Sequence, residues 1–135
     1  MLMRIIPTRM HAVMDYAVGV LLIAAPWLFQ YADESAAAKW ISIVVGIAMI
    51  GLSAITDYEG GLAARIVPMR MHLMTDAIVG IFLAASPWIF GFADQGANAW
   101  LPFVVIGLGE LVAAATTDPE PARGGARRGH AHRIA

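Results

Sequence analysis

The chain has 135 residues, 59% of them hydrophobic and 14% charged, with a net charge of −1 and a mean hydropathy of +0.68. Soluble domains are about half apolar and about a quarter charged, so this balance excludes an ordinary water-soluble core and points to a membrane. The absence of cysteine excludes disulfides, thiolate metal sites and thiol redox chemistry.

Stretches free of Asp, Glu, Lys and Arg cover 16–32, 40–56 and 77–93, and 95–117 is broken only by Glu110. With interfacial flanks each reaches about 20 residues, or ~30 Å of helix, the thickness of the hydrocarbon layer. The pattern predicts four transmembrane helices near 10–30, 39–57, 71–92 and 98–117. Arg4 and Arg9 precede the first, on which His11, Asp15 and Gly19, spaced by four, share one stripe. A signal peptide is the other reading of this stretch, but cleavage would discard one helix of a matched set. Pro26 cannot donate to the carbonyl of Leu22, so the first helix should kink or tighten near its far end, beside Trp27. The second helix carries Ser42, Gly46, Met49, Ser53 and Thr56 on one face and ends at Asp57. The third repeats the stripe as His72, Asp76 and Gly80 and closes on Ser86-Pro87-Trp88. The fourth aligns Phe103, Gly107, Glu110, Ala114 and Thr117 and ends at Asp118. Small residues on these faces suit close helix contacts. Residues 119–135, rich in Pro, Gly and Arg, are expected to form a disordered basic cytoplasmic tail.

The chain is written twice, with a displacement of about 61 positions. Pro7, Arg9, His11, Asp15, Gly19, Pro26, Trp27, Thr56 and Asp57 recur as Pro68, Arg70, His72, Asp76, Gly80, Pro87, Trp88, Thr117 and Asp118. A period this long holding two apolar stretches reads as a duplicated helical hairpin, 1–61 and 62–118. Eight of the nine basic residues fall on one side of the spans and only Lys39 on the other. The positive-inside rule therefore places both termini in the cytoplasm. The hairpins then share one orientation, related by a pseudo-two-fold along the membrane normal. Trp27, Trp40, Trp88 and Trp100 gather at the outer ends as an interfacial belt. The expected fold is all-α, an integral membrane four-helix bundle made of two parallel two-helix repeats.

Ser86-Pro87-Trp88, inside the first helix of a two-helix membrane unit, resembles the SPW repeat family of small bacterial membrane proteins, and the duplicated region covers 5–120. The first copy departs from the motif, reading Ala25-Pro26-Trp27. The resemblance implies architecture and a place in the bacterial cytoplasmic membrane. It brings no catalytic residues.

The chemistry is carried by His11, Asp15, His72 and Asp76, with Asp57 and Asp118 returning to the same level, so six ionisable groups are expected at one end of the bundle. Imidazole and carboxylate together suit Zn, Fe or Mn, and two equivalent histidines also suit a haem. The structural reading is that each Asp pairs with its His at a helix start and that Arg9 and Arg70 neutralise Asp57 and Asp118. If the pseudo-two-fold passes between the first and third helices, the stripes meet across it where Gly19 and Gly80 let the backbones approach, with Arg9, Arg70 or the histidines compensating the aspartates. Glu110 replaces Met49 of the first copy within the hydrocarbon. It should face protein against the second or third helix, protonated or hydrogen-bonded, with Ser42 and Ser53 as candidate partners.

Gly60-Gly61 lacks the strand and helix of a phosphate-binding motif, the serines show no nucleophile elbow, and no feature points to nucleic acid. The function expected is a non-enzymatic structural module or accessory subunit that binds lipid and forms homo-oligomers or joins a larger membrane complex, with no cofactor. The alternative is a protein handling protons, ions or small solutes through Glu110 and the His/Asp cluster, with metal or haem at His11 and His72 as its cofactor variant.

Overall fold

The computed structural model describes residues 3–120, so the predicted tail lies outside the described residues except for Pro119 and Glu120. Four helices form: α1 (Thr8–Leu28), α2 (Ala36–Ile55), α3 (Met69–Ile89) and α4 (Ala97–Thr116). All are long and apolar enough to cross a bilayer, making an all-α four-helix membrane bundle. They begin one to three residues before the predicted starts. The reason lies in the residues just upstream. Pro7 and Pro68, extended at ψ 150° and 144°, accept the bonds of His11 N–H and His72 N–H at 3.1 Å, while Ser35 caps α2 through Ala38 N–H at 3.2 Å.

At the opposite end, α1 and α3 run through Pro26 and Pro87 and stop just beyond them. Gln30 and Gly91 turn left-handed, at φ 62° and 72°. The amides of Tyr31 and Phe92 then return to the carbonyls of Pro26 and Pro87 at 2.9 and 2.8 Å. These are Schellman closures, so the expected proline effect takes the form of a helix end. The Leu22 carbonyl, which Pro26 cannot serve, accepts from the Ser42 hydroxyl of α2.

Helix α1 packs along α2, and α3 along α4. A Cβ on Gly46 would stand 2.6 Å from the Gly19 carbonyl oxygen, and one on Gly107 would stand 2.5 Å from that of Gly80. The expectation that Gly19 and Gly80 bring α1 and α3 together is thus corrected: both glycines seat the second helix of their own hairpin. No Cα of α1 comes within 8 Å of one of α3, and longer side chains fill the gap between them.

Near the tryptophans the core is apolar, with Leu22, Leu83, Tyr31, Phe92 and Phe103 fully buried and the rings of Phe92 and Phe103 5.9 Å or less from their neighbours. At the other end, the strand-like segment before each odd helix pairs with the end of an even one. Ile6 lies beside Thr117 and Val67 beside Thr56 in parallel bridges, so α4 is tied to α1 much as α2 is tied to α3.

Candidate functional site

The gap between α1 and α3 is filled by His11, Asp15, His72 and Asp76, which are at most 4% exposed. The four-residue spacing puts each pair on one face of its helix, and the two faces oppose. His11 Nε2 lies 3.1 Å from Asp15 Oδ1 and 3.0 Å from Asp76 Oδ2. His72 Nε2 lies 2.9 Å from Asp15 Oδ2 and 3.0 Å from Asp76 Oδ2. Each imidazole thus meets its own aspartate and that of the other hairpin. The rings stand edge to face, 5.5 Å apart.

The outer nitrogens are equally specified. His11 Nδ1 is 2.8 Å from the Thr117 hydroxyl, and His72 Nδ1 is 2.7 Å from that of Thr56. Each threonine donates its one hydroxyl proton to the carbonyl a turn earlier, Thr117 to Ala113 at 2.6 Å and Thr56 to Leu52 at 2.7 Å. The threonine oxygen can then only accept, so Nδ1 carries the hydrogen on both rings. Both Nε2 atoms, as proton carriers or lone pairs, are aimed at the carboxylates.

The aspartates are less alike. Asp15 Oδ2 accepts from Ser53 at 2.8 Å and from the Tyr58 hydroxyl at 3.4 Å. Burial pushes the Tyr58 phenol above its ordinary range and keeps it a neutral donor. Asp15 Oδ1 is buried and, among the described residues, has no hydrogen bond, although His11 Nε2 is 3.1 Å away. Asp76 is approached, among the described residues, by the two imidazoles alone.

Of the six groups expected together, four meet. Asp57 is exposed and Asp118 half-buried, because the side chains that turn inward at the ends of α2 and α4 are their neighbours Thr56 and Thr117. Arg9 and Arg70 are exposed and, among the described residues, pair with neither Asp57 nor Asp118; of the basic side chains described, the histidines are those that pair with Asp15 and Asp76. Thr56, Thr117, Ser53 and Tyr58 were not expected in the site. The available signal was the recurrence of Thr-Asp at both helix ends, with the threonine on the small-residue face.

Glu110 is 4% exposed, with its Cβ 3.3 Å from where a Cβ on Gly80 of α3 would stand, and it interacts electrostatically with all four quartet residues. It faces protein as expected, but among the described residues its Oε2 has no hydrogen-bond partner. Neither expected serine serves it, since Ser42 donates to Leu22 and Ser53 to Asp15. Pro26, Trp27, Ser86, Pro87 and Trp88 lie at the far end of the helices, roughly 20 Å from the quartet at helical rise. Ser86 donates to Phe82 of its own helix at 2.6 Å, a bond within one helix that the alanine of the first copy lacks. Trp27 and Trp88 are exposed at 58% and 63%, as an interfacial belt requires.

The sequence profile of the SPW repeat domain matches residues 9–117. No curated protein and no solved structure matches the chain.

Proposed function

Since the chain belongs to the SPW repeat family, we propose that it is a small structural module of the bacterial cytoplasmic membrane, with both termini cytoplasmic, that self-associates or serves as an accessory subunit of a larger complex. The observation that supports this most is where the polar groups go. Histidine, aspartate and threonine are spent on joining the two hairpins and serine on the seam within the first, while Val13, Val44, Ile78 and Val105, 60% to 66% exposed, face outward. An open apolar groove of about 370 Å³ between α1 and α4, lined by Leu21, Leu101, Pro102 and Val105 among others, offers a seat for a neighbouring helix side chain or acyl chain. Extraction in native lipid discs followed by mass determination tests the reading: a homo-oligomer or a stoichiometric partner is expected, and a solitary monomer overturns it. Single cysteines at Ser35 and Ala126 test the topology, with labelling from opposite sides expected.

One observation favours a second reading, proton or ion handling: among the described residues, Glu110 is a buried carboxyl whose Oε2 has no hydrogen bond, beside the His/Asp quartet. Reconstituted vesicles whose proton flux disappears in Glu110→Met would establish it.

A further inference from the structure

We infer that the His11, Asp15, His72 and Asp76 quartet is a binding site for a divalent first-row transition-metal ion, which joins the two hairpins inside the membrane. One Nε2 or carboxylate oxygen from each residue falls within 4.8 Å of every other, and the neighbouring pairs are separated by 2.9–3.1 Å. A tetrahedral ion with bonds of about 2.0–2.1 Å separates its ligands by ~3.3 Å, so each histidine–aspartate pair has to open by a few tenths of an ångström while the His11–His72 and Asp15–Asp76 pairs, within 4.8 Å, settle to the same separation.

The threonines supply an independent argument. Metal-bound histidines donate their other ring nitrogen to a fixed acceptor, which sets the tautomer and aims the free lone pair. Thr56 and Thr117 are such acceptors, because their own protons are committed to Leu52 and Ala113. Asp15 Oδ1 is buried and, among the described residues, has no hydrogen bond and only His11 Nε2 close by, at 3.1 Å, which leaves it a lone pair for a metal ion. Charge also balances, since two neutral imidazoles and two carboxylates neutralise a 2+ ion. Two nitrogens and two oxygens select among zinc, iron and manganese rather than copper(I) or calcium. Four protein ligands complete a tetrahedral shell, and their burial keeps solvent away from it, so the ion is structural. Because the ligands come from α1 and α3, whose backbones do not touch, the ion bridges the one helix pair that packing leaves apart.

The test uses the full chain without a polyhistidine tag, purified in detergent, stripped with chelator and dialysed against Zn²⁺. Elemental analysis is expected to find one zinc per chain in the wild type and none in the isosteric Asp15→Asn, Asp76→Asn double variant. Thr56→Val with Thr117→Val, which keeps the four ligands, is expected to bind about 10- to 100-fold more weakly while circular dichroism stays helical. A folded wild type that retains no zinc overturns the proposal. So does zinc that survives both double variants, which would place it on the tail histidines, His130 and His132. Should the aspartate variant fail to fold, X-ray absorption at the zinc edge of the wild type decides: two imidazoles and two oxygens at about 2.0–2.1 Å are expected, and any other set overturns it.

Discussion

The two halves of the bundle share a backbone plan and differ in what surrounds their aspartates. Around Asp15, Ser53 and Tyr58 donate hydrogen bonds, and the loop after α2 is drawn underneath α1 by Tyr16 to the Gly60 carbonyl at 2.7 Å and by Thr8 to Glu59 at 2.6 Å. In the second half the corresponding positions are Ala114 for Ser53, Pro119 for Tyr58 and Ala77 for Tyr16. All three line an open cavity of about 340 Å³, together with Arg4, Arg70 and Leu73. The first half is filled and hydrogen-bonded, while the second has smaller side chains and carries an additional carboxyl, Glu110, where the first has Met49. Helix seams and the histidine–threonine bonds are held in common, so the two halves share a frame while their side chains differ on one side of the quartet. The difference makes the second half the accessible, adaptable side.

The largest test removes each aspartate in turn. Asp15→Ala strips the histidines of a partner and also orphans Ser53 and Tyr58, and should cost about 3–5 kcal/mol, the range for breaking a buried ion pair. Asp76→Ala orphans no further donor and should cost less, so unfolding in a graded denaturing detergent should rank Asp15→Ala as the weaker protein. Equal losses would erase the asymmetry.

Glu110→Met installs the residue found at Met49 and removes a buried carboxyl whose Oε2, among the described residues, has no hydrogen bond. It should raise stability by about 1–3 kcal/mol, the usual cost of an unsatisfied buried polar group, in the same assay. A fall would mean that the carboxyl contributes to cohesion.

Ala114→Ser restores the hydroxyl that the first half has at Ser53. If the frames are equivalent, the serine should donate to Asp76 and gain about 0.5–1.5 kcal/mol. A loss would show that the cavity side does not accept the first half's chemistry. The smallest effect is expected at Ser86→Ala, whose hydroxyl bonds only within its helix; a change within about 0.5 kcal/mol is expected, and the same denaturation curve measures it. A larger loss would mean that the serine acts beyond its own turn.

What sequence alone determined was the four spans, their pairing into hairpins and the residues that meet. Run length, the 61-position recurrence and the spacing of four put His11, Asp15, His72 and Asp76 on opposing stripes without any coordinates, because helix periodicity is a local property. Family membership was likewise legible in Ser86-Pro87-Trp88. Tertiary structure decided which neighbours those residues found. A carboxylate such as Asp57 and a hydroxyl such as Thr56 are equally plausible at a helix end in sequence. Only the pairing of the end of α2 with the segment before α3 turned the threonine inward onto His72 and left the aspartate exposed. The same holds for the glycines: spacing placed Gly19 and Gly80 on the histidine stripes, but which helix uses a small residue depends on the crossing partner. Here the hairpin partner took that contact, leaving the space between α1 and α3 to the longer charged side chains.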